Sequence, residues 1–398
     1  MAPNGHPQHR PHTMARPIYL DHNATTPVDP RVFDAMRPYF CEQYGNAASA
    51  GHAYGWAAEE AVTQAREQGA ALLDADPEAL TFTSGATEAL NMALKGIADA
   101  YASKGQHIVT VQTEHKAVLD PCDALERRGV EVTRLPVDAN GRLSPDAVAR
   151  ALRDDTIAVA VMWANNETGV LHPIPEIAAV VRDHGALFVT DATQAVGKIP
   201  VSVEHADLLV ASGHKMYGPK GVGVLYASPR RPRVRIPALI HGGGQEDGQR
   251  GGTHNVPAIV GLGAAAQIAA GEQSDDAARL SSLRDRLETA LLDALDDAWI
   301  NGRDAPRLPQ TTSLTVPGIS AEDLTLAMRA VACATGSACS SNATQPSHVL
   351  RAHGLSDDDA RATVRLSLGR PTTADEVDTA IEAIIENVRT HQTVRVGR

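Results

Sequence analysis

The sequence predicts an α/β protein, with a large domain built on a mainly parallel seven-stranded sheet and a smaller α+β domain after it. Seven short apolar runs carry the first part of that expectation, at residues 80–83, 107–112, 130–135, 157–162, 186–191, 207–211 and 222–226. They are near-continuous rather than alternating, which is the pattern of strands covered on both faces. Helical stretches fall between most of them, around residues 88–102, 117–128, 145–152 and 175–184, and strands alternating with helices imply parallel pairing. The texture changes after about residue 262. Leu280, Leu283, Leu287, Leu291 and Leu295 recur at helical spacing, marking one amphipathic helix. Short strands at 312–316 and 364–367 follow, and Thr373 with Glu376 three residues on has the spacing of a capping box opening a last helix.

Taken in order, residues 1–17 are rich in Pro and His, lack an apolar core and read as a disordered tail. His6, His9 and His12 in that tail suit either a metal or plain solvation. Residues 18–27, an apolar run and a polar turn, are assigned to the smaller domain together with 268–398; residues 28–267 form the large one. A helix is expected over 57–73. At 398 residues, with 43% hydrophobic and 21% charged content, the chain is long enough for two well-buried cores. A net charge of −12 argues against nucleic acid as a general partner. Arg230, Arg231, Arg233 and Arg235 form one local basic patch, read as a solvated edge or a docking point for an acidic partner or tRNA. No run approaches the roughly 18–20 apolar residues of a membrane span. The four cysteines, Cys41, Cys122, Cys333 and Cys339, have neither paired spacing nor scaffold density, so a reducing cytoplasm is expected.

Three stretches carry chemistry. Thr83 to Glu88 (TSGATE) follows a strand and opens a helix. A glycine turn there presents free N–H groups to a phosphate, although the same residues also make an ordinary N-cap. Asp191 to Gln194 (DATQ) ends a strand, where ligands gather in open α/β sheets. Ser212 to Lys215 (SGHK) ends the next strand, and a lysine there is either a surface residue in a turn or a desolvated amine fit for Schiff-base chemistry. A phosphate loop, a strand-end carboxylate and a strand-end amine together match pyridoxal phosphate, which has a phosphate, a pyridine nitrogen and an aldehyde.

With further stretches in the same order, the chain resembles the cysteine desulfurases of the class V aminotransferase superfamily, which have the pyridoxal-phosphate fold-type I. It is most similar to the housekeeping group of iron–sulfur assembly and tRNA thiolation. These stretches are 19–26 (YLDHNATT), 113–118 (TEHKAV), 165–167 (NNE), 242–244 (GGG), 335–339 (TGSAC) and 365–370 (RLSLGR). The resemblance covers about residues 17 to 390 and implies conversion of L-cysteine to L-alanine, with the sulfur left on Cys339 as a persulfide. It implies that Lys215 carries the cofactor and moves the Cα proton, Asp191 pairs with the ring nitrogen, and Gln194 donates to the phenolic oxygen. His115 stacks over the ring and relays protons; Ala86, Thr87, Ser212 and His214 hold the phosphate, with Thr253 reaching in from the other subunit of a homodimer. Asn166 and Arg365 bind the substrate carboxylate, and Arg370 is a second, more structural candidate. No resident metal is implied, although Cys339 would meet an iron–sulfur cluster if the sulfur is delivered there.

Cys339 separates this reading from an aminotransferase. Its neighbours are small and polar, wrong for a buried inert cysteine and suited to a loop that moves. Cys333 lies in an apolar stretch and reads as core; Cys41 and Cys122 have no functional context. Ala47 stands where the family often has proline. The short carboxyl terminus puts docking of an iron–sulfur scaffold in doubt and leaves tRNA thiolation, DNA phosphorothioation and sulfur carriers as destinations through a protein acceptor. A selenocysteine lyase or a β-lyase releasing sulfide is the rival on the same cofactor, and a non-catalytic scaffold the rival of another class.

Overall fold

The computed structural model describes residues 16–230, 234–335 and 345–396. After a two-residue strand β1 (Ile18–Tyr19), seven strands build the central sheet: β2 (Leu80–Thr83), β3 (His107–Val111), β4 (Glu131–Leu135), β5 (Thr156–Ala160), β6 (Leu187–Asp191), β7 (Leu208–Ser212) and β8 (Gly223–Ala227). Their order across the sheet is β2-β8-β7-β6-β5-β3-β4. Only β8 runs against its neighbours, antiparallel to both β2 and β7, while β3, β4, β5, β6 and β7 pair in parallel. Six strands therefore deliver their carboxyl ends to one edge, and Thr83, Val111, Ala160, Asp191 and Ser212 close together there. The strand interiors are buried, as their continuous apolar runs require.

Helices cover both faces. On one, Ala89, Leu90, Ala93 and Ile97 of the helix Ala86–Ala100 pack with Val118, Cys122 and Leu125 of the helix Lys116–Glu126 against Ile108, Val189 and Val210. On the other, the helices Ala53–Leu73 and Ile174–His184 close over Val109, Val159, Phe188 and Leu209.

The Leu280–Leu295 stripe belongs to a helix far longer than the stripe itself, the 39-residue Val256–Ala294, with Leu295 as its C-cap. Its first half packs into the large core through Ile259, Leu262 and Ala266, its second into a separate core through Leu280, Leu287 and Leu291. The first half lies close against its neighbours, since a Cβ on Gly263 would stand 2.5 Å from the Ala65 Cα. The smaller core is roofed by β9 (Trp299–Ile300), β10 (Thr311–Thr315), β11 (Val331–Ala332), β12 (Ala334–Thr335) and β13 (Thr363–Ser367). Strands β12, β13, β10 and β9 form one sheet, and β11 pairs in parallel with β1. Leu20 enters this second core. The last helix, Ala374–Val396, begins with the expected reciprocal cap: Thr373 N donates to Glu376 Oε2 at 2.9 Å and Glu376 N to Thr373 Oγ1 at 3.2 Å. Among the described residues, no helix is long and apolar enough to cross a membrane.

Candidate active site

The carboxyl edge of the sheet opens into a cavity of about 600 Å³, within the usual range for a small-molecule site. Its wall includes Ala86, Thr87, His115, Asn166, Asp191, Gln194, Ser212, His214 and Lys215, so nine of the residues singled out from the sequence come together there.

Local sequence explains each placement. Between β2 and the helix Ala86–Ala100, Gly85 has φ 145°, a conformation side chains rarely adopt. Gly223 on β8 lets this turn settle on the sheet, because a Cβ there would stand 2.8 Å from the Gly85 Cα. The helix has no side-chain N-cap, so its first N–H groups and the positive end of its dipole face the cavity. Glu88 draws the turn inward by accepting from Ser84 N at 2.8 Å, and is itself paired with Arg250 at 2.8 Å. Asp191 ends β6 with Oδ1 accepting from Thr193 N at 2.9 Å, the local capping role open to it, while the side chain still lines the cavity. His115 caps its helix through Nδ1, which accepts from Ala117 N at 3.1 Å. Burial, with the charges of Lys215 and His348, lowers its pKa despite Asp191, which keeps the ring neutral. Burial and the charges of Lys215, Lys220 and Lys198 hold His214 at about 4.

Lys215 sits in the turn after β7, its Nζ donating to the carbonyl oxygens of Asn23 and Ala24, the latter at 2.8 Å. Asn23 is the residue whose part the sequence did not disclose. Its Nδ2 donates to Asn166 O at 3.2 Å and to Thr311 Oγ1 at 2.9 Å, and its carbonyl accepts from both Lys215 Nζ and Gln194 Nε2. It thereby stitches the smaller domain to the sheet edge. Thr25 beside it hydrogen-bonds His214 Nδ1 at 3.2 Å. The available signals were a polar turn directly after an apolar run and its place in the stretch 19–26, neither of which gave Asn23 a role. Lys198 and Lys220 were missed as well, neither having a motif that set it apart.

Three residues from the sequence reading stand outside the cavity wall. Arg365 is buried on β13, donating to Asn166 O at 3.0 Å and pairing with Asp21 at 2.6 Å. Thr253 is exposed, three residues beyond Arg250. Arg370 is structural here: it pairs with Asp29 at 3.1 Å and Asp276 at 2.8 Å and lies over the Tyr217 ring. Cys339, Arg231, Arg233 and the tail histidines His6, His9 and His12 lie outside the described residues. Among the other thiols, burial pushes Cys122 and Cys333 up to about 12, which leaves both poor nucleophiles.

Comparison with known proteins agrees with this geometry. Residues 18–379 match the Aminotransferase class-V family, and the chain belongs to it. A relative from Anaeromyxobacter sp. (strain Fw109-5), the cysteine desulfurase IscS, is 52% identical over 94% of this chain and 93% of its own. Among solved structures, a NifS-like protein superposes with a TM-score of 0.87 at 36% identity, over 94% of this chain and all of that one. SspA in complex with cysteine superposes at 0.78 with 37% identity, over 88% of this chain and 98% of that one. Within the class-V family, the chain stands with the cysteine desulfurases.

Proposed function

We propose that the Lys215 cavity holds pyridoxal 5'-phosphate and that the chain, a cysteine desulfurase by family, converts L-cysteine to L-alanine there while Cys339 takes the sulfur. The observation that carries the reading is one cavity wall bearing an amine, a carboxylate and an uncapped helix N-terminus. Residue chemistry fits the group. The free N–H groups at Ala86 and Thr87, with Ser212 and His214 beside them, suit a phosphate. Asp191 suits a protonated ring nitrogen, Gln194 a phenolic oxygen and Lys215 an aldehyde. When bound, the cofactor supplies a covalent attachment point for the substrate amine and an electron sink at its Cα.

The chain's own residues then divide the work. Lys215, poised by the Asn23 and Ala24 carbonyls, takes the Cα proton and returns it. Asp191 keeps the ring-nitrogen proton in place. His115, held neutral, covers the cavity and passes protons. Asn166, whose carbonyl is fixed by Asn23 and Arg365, meets the substrate carboxylate, and the Arg365 guanidinium directly behind it adds its positive charge. The Cys339 thiolate attacks the substrate sulfur; the Cβ–S bond breaks as the S–S bond forms, so cysteine and the enzyme thiol become alanine and an enzyme persulfide. An acceptor thiol of a partner protein then removes the outer sulfur.

A homodimer with Thr253 completing the neighbouring phosphate site belongs to the same proposal. Exposed aromatic residues support it, since Phe33, Phe40, Tyr44, Tyr54 and Trp56 are all more than half exposed and the Tyr44 and Tyr54 rings lie 5.4 Å apart, apolar surface that a second copy would cover. A reducing compartment such as the cytoplasm suits the reactive thiol. The reading is tested by supplying L-cysteine and measuring alanine together with protein-bound persulfide. Equimolar alanine and persulfide in a first turnover support it; pyruvate and ammonia with free sulfide and no persulfide would favour a β-lyase, and faster turnover of L-selenocysteine a selenocysteine lyase.

A further inference from the structure

Lys198 lies one helical turn beyond Gln194, in the turn that leaves β6. Gly197 brings that turn against the residue following Lys215: with φ 75°, it places its α-carbon where a Cβ would stand 2.9 Å from the Met216 Cβ. Lys198 Nζ donates to Gln194 Oε1 at 2.7 Å, and Gln194 Nε2 donates to the Asn23 carbonyl at 2.9 Å. The two ends of the amide thus face opposite demands. The carbonyl of Asn23 accepts only, so a flipped amide would set two oxygens against each other and lose that hydrogen bond. Nε2 has two N–H bonds, and Asn23 engages one.

We propose that Lys198 is a positioning residue which, by holding Gln194 Oε1, fixes the side-chain amide so that its remaining N–H serves an acceptor oxygen of the ligand in the Lys215 cavity. The inference rests on the cofactor reading above, under which that acceptor is the phenolic oxygen of pyridoxal phosphate. No other side-chain hydrogen bond of Lys198 is present among the described residues. Among the described residues Lys198 has no ion pair, and its charged neighbours are the cations Lys215 and Arg365, which together with burial push its ammonium well below the ordinary lysine value. A surface lysine would avoid that repulsion, whereas the Gln194 contact gives this one a purpose.

The test compares the parent, Lys198→Met, Lys198→Arg, Gln194→Leu and the Lys198→Met/Gln194→Leu double variant. Each is titrated as apoprotein with pyridoxal phosphate, and the visible absorption band of each holoprotein is recorded. Loss of one hydrogen bond should weaken cofactor binding by about 5–10-fold in Lys198→Met and move its visible band in the same direction as in Gln194→Leu. The double variant should be no weaker than Gln194→Leu alone, because the lysine acts through the amide, and Lys198→Arg should restore the parental band. Parental affinity and band in Lys198→Met, or effects that multiply in the double variant, overturn the inference. If Lys198→Met does not fold, Lys198→Gln against Lys198→Arg poses the same question with a donor of different reach. A parent that takes up no pyridoxal phosphate overturns the cofactor reading and with it the acceptor named here, whereas a parent that binds beside an unaffected Lys198→Met overturns only the role of Lys198.

Discussion

In the smaller domain, Arg307 meets Glu288 through two hydrogen bonds of 2.8 and 2.9 Å, with both side chains at most 6% exposed. At the sheet edge, Lys215 donates to two backbone carbonyls and Lys198 to an amide oxygen. The first arrangement repeats elsewhere, in Arg370 with Asp29 and Asp276 and in Arg66 with Glu246. Matched charges of this kind fix how segments dock. The second gathers Lys215 and Lys220 with Asp191, Glu88 and an uncapped helix N-terminus on one cavity wall, an arrangement of opposed groups suited to a ligand that carries both an anionic and a cationic end. The difference separates residues kept for architecture from residues kept for chemistry.

The sharpest way to break the comparison is to remove one member of each kind. Lys215→Ala should retain the fold and lose the visible colour of the bound cofactor, with alanine formation falling about 10²–10⁴-fold, as when a proton-transfer group is lost. Cys339→Ser should keep the colour and lose protein-bound persulfide; persulfide formation at the parental rate would transfer the role to another thiol. On the architectural side, Glu288→Ala should leave the colour of the folded protein unchanged while lowering stability to urea by about 3–5 kcal/mol, because Arg307 is left buried without its partner.

A pH series sharpens the same contrast. Burial pushes the Glu246 carboxyl up, but the hydrogen bonds of His254 and Arg66 more than offset this and hold it at about 2, against an ordinary value of 4.5. Its contribution is therefore complete above about pH 4.5 and is lost as pH falls toward 2. Urea unfolding between these values should show a fall of roughly 2–4 kcal/mol in the parent, shallower in Glu246→Gln. The smallest effect is expected for Cys41→Ser, an exposed thiol that does not line the cavity, which should leave both stability and persulfide yield at parental levels.

Much of this was legible in the sequence because each signal was local. Continuous apolar runs announced β2 to β8, and strand-end motifs placed Asp191, Ser212 and Lys215 on one edge, since a nearly parallel sheet sends its carboxyl ends the same way. Asn23 and Lys198 were not legible, because their roles arise from contacts across 192 residues of chain in one case and from a single amide orientation in the other. The first half of the long helix escaped notice for a different reason. Its Gly and Ala residues pack on several sides, so no one-sided stripe exists there. Arg365, which the sequence offered as a substrate-carboxylate group, is buried outside the cavity wall and tied to Asn166 and Asp21, contacts that no local signal discloses.

The most direct test of the central claim is to reduce the purified, cofactor-loaded protein with borohydride and find the modified lysine by peptide mass spectrometry. The account predicts the cofactor adduct on Lys215 alone. An adduct on Lys198 or Lys220, or a protein that carries none after incubation with pyridoxal phosphate, would contradict it.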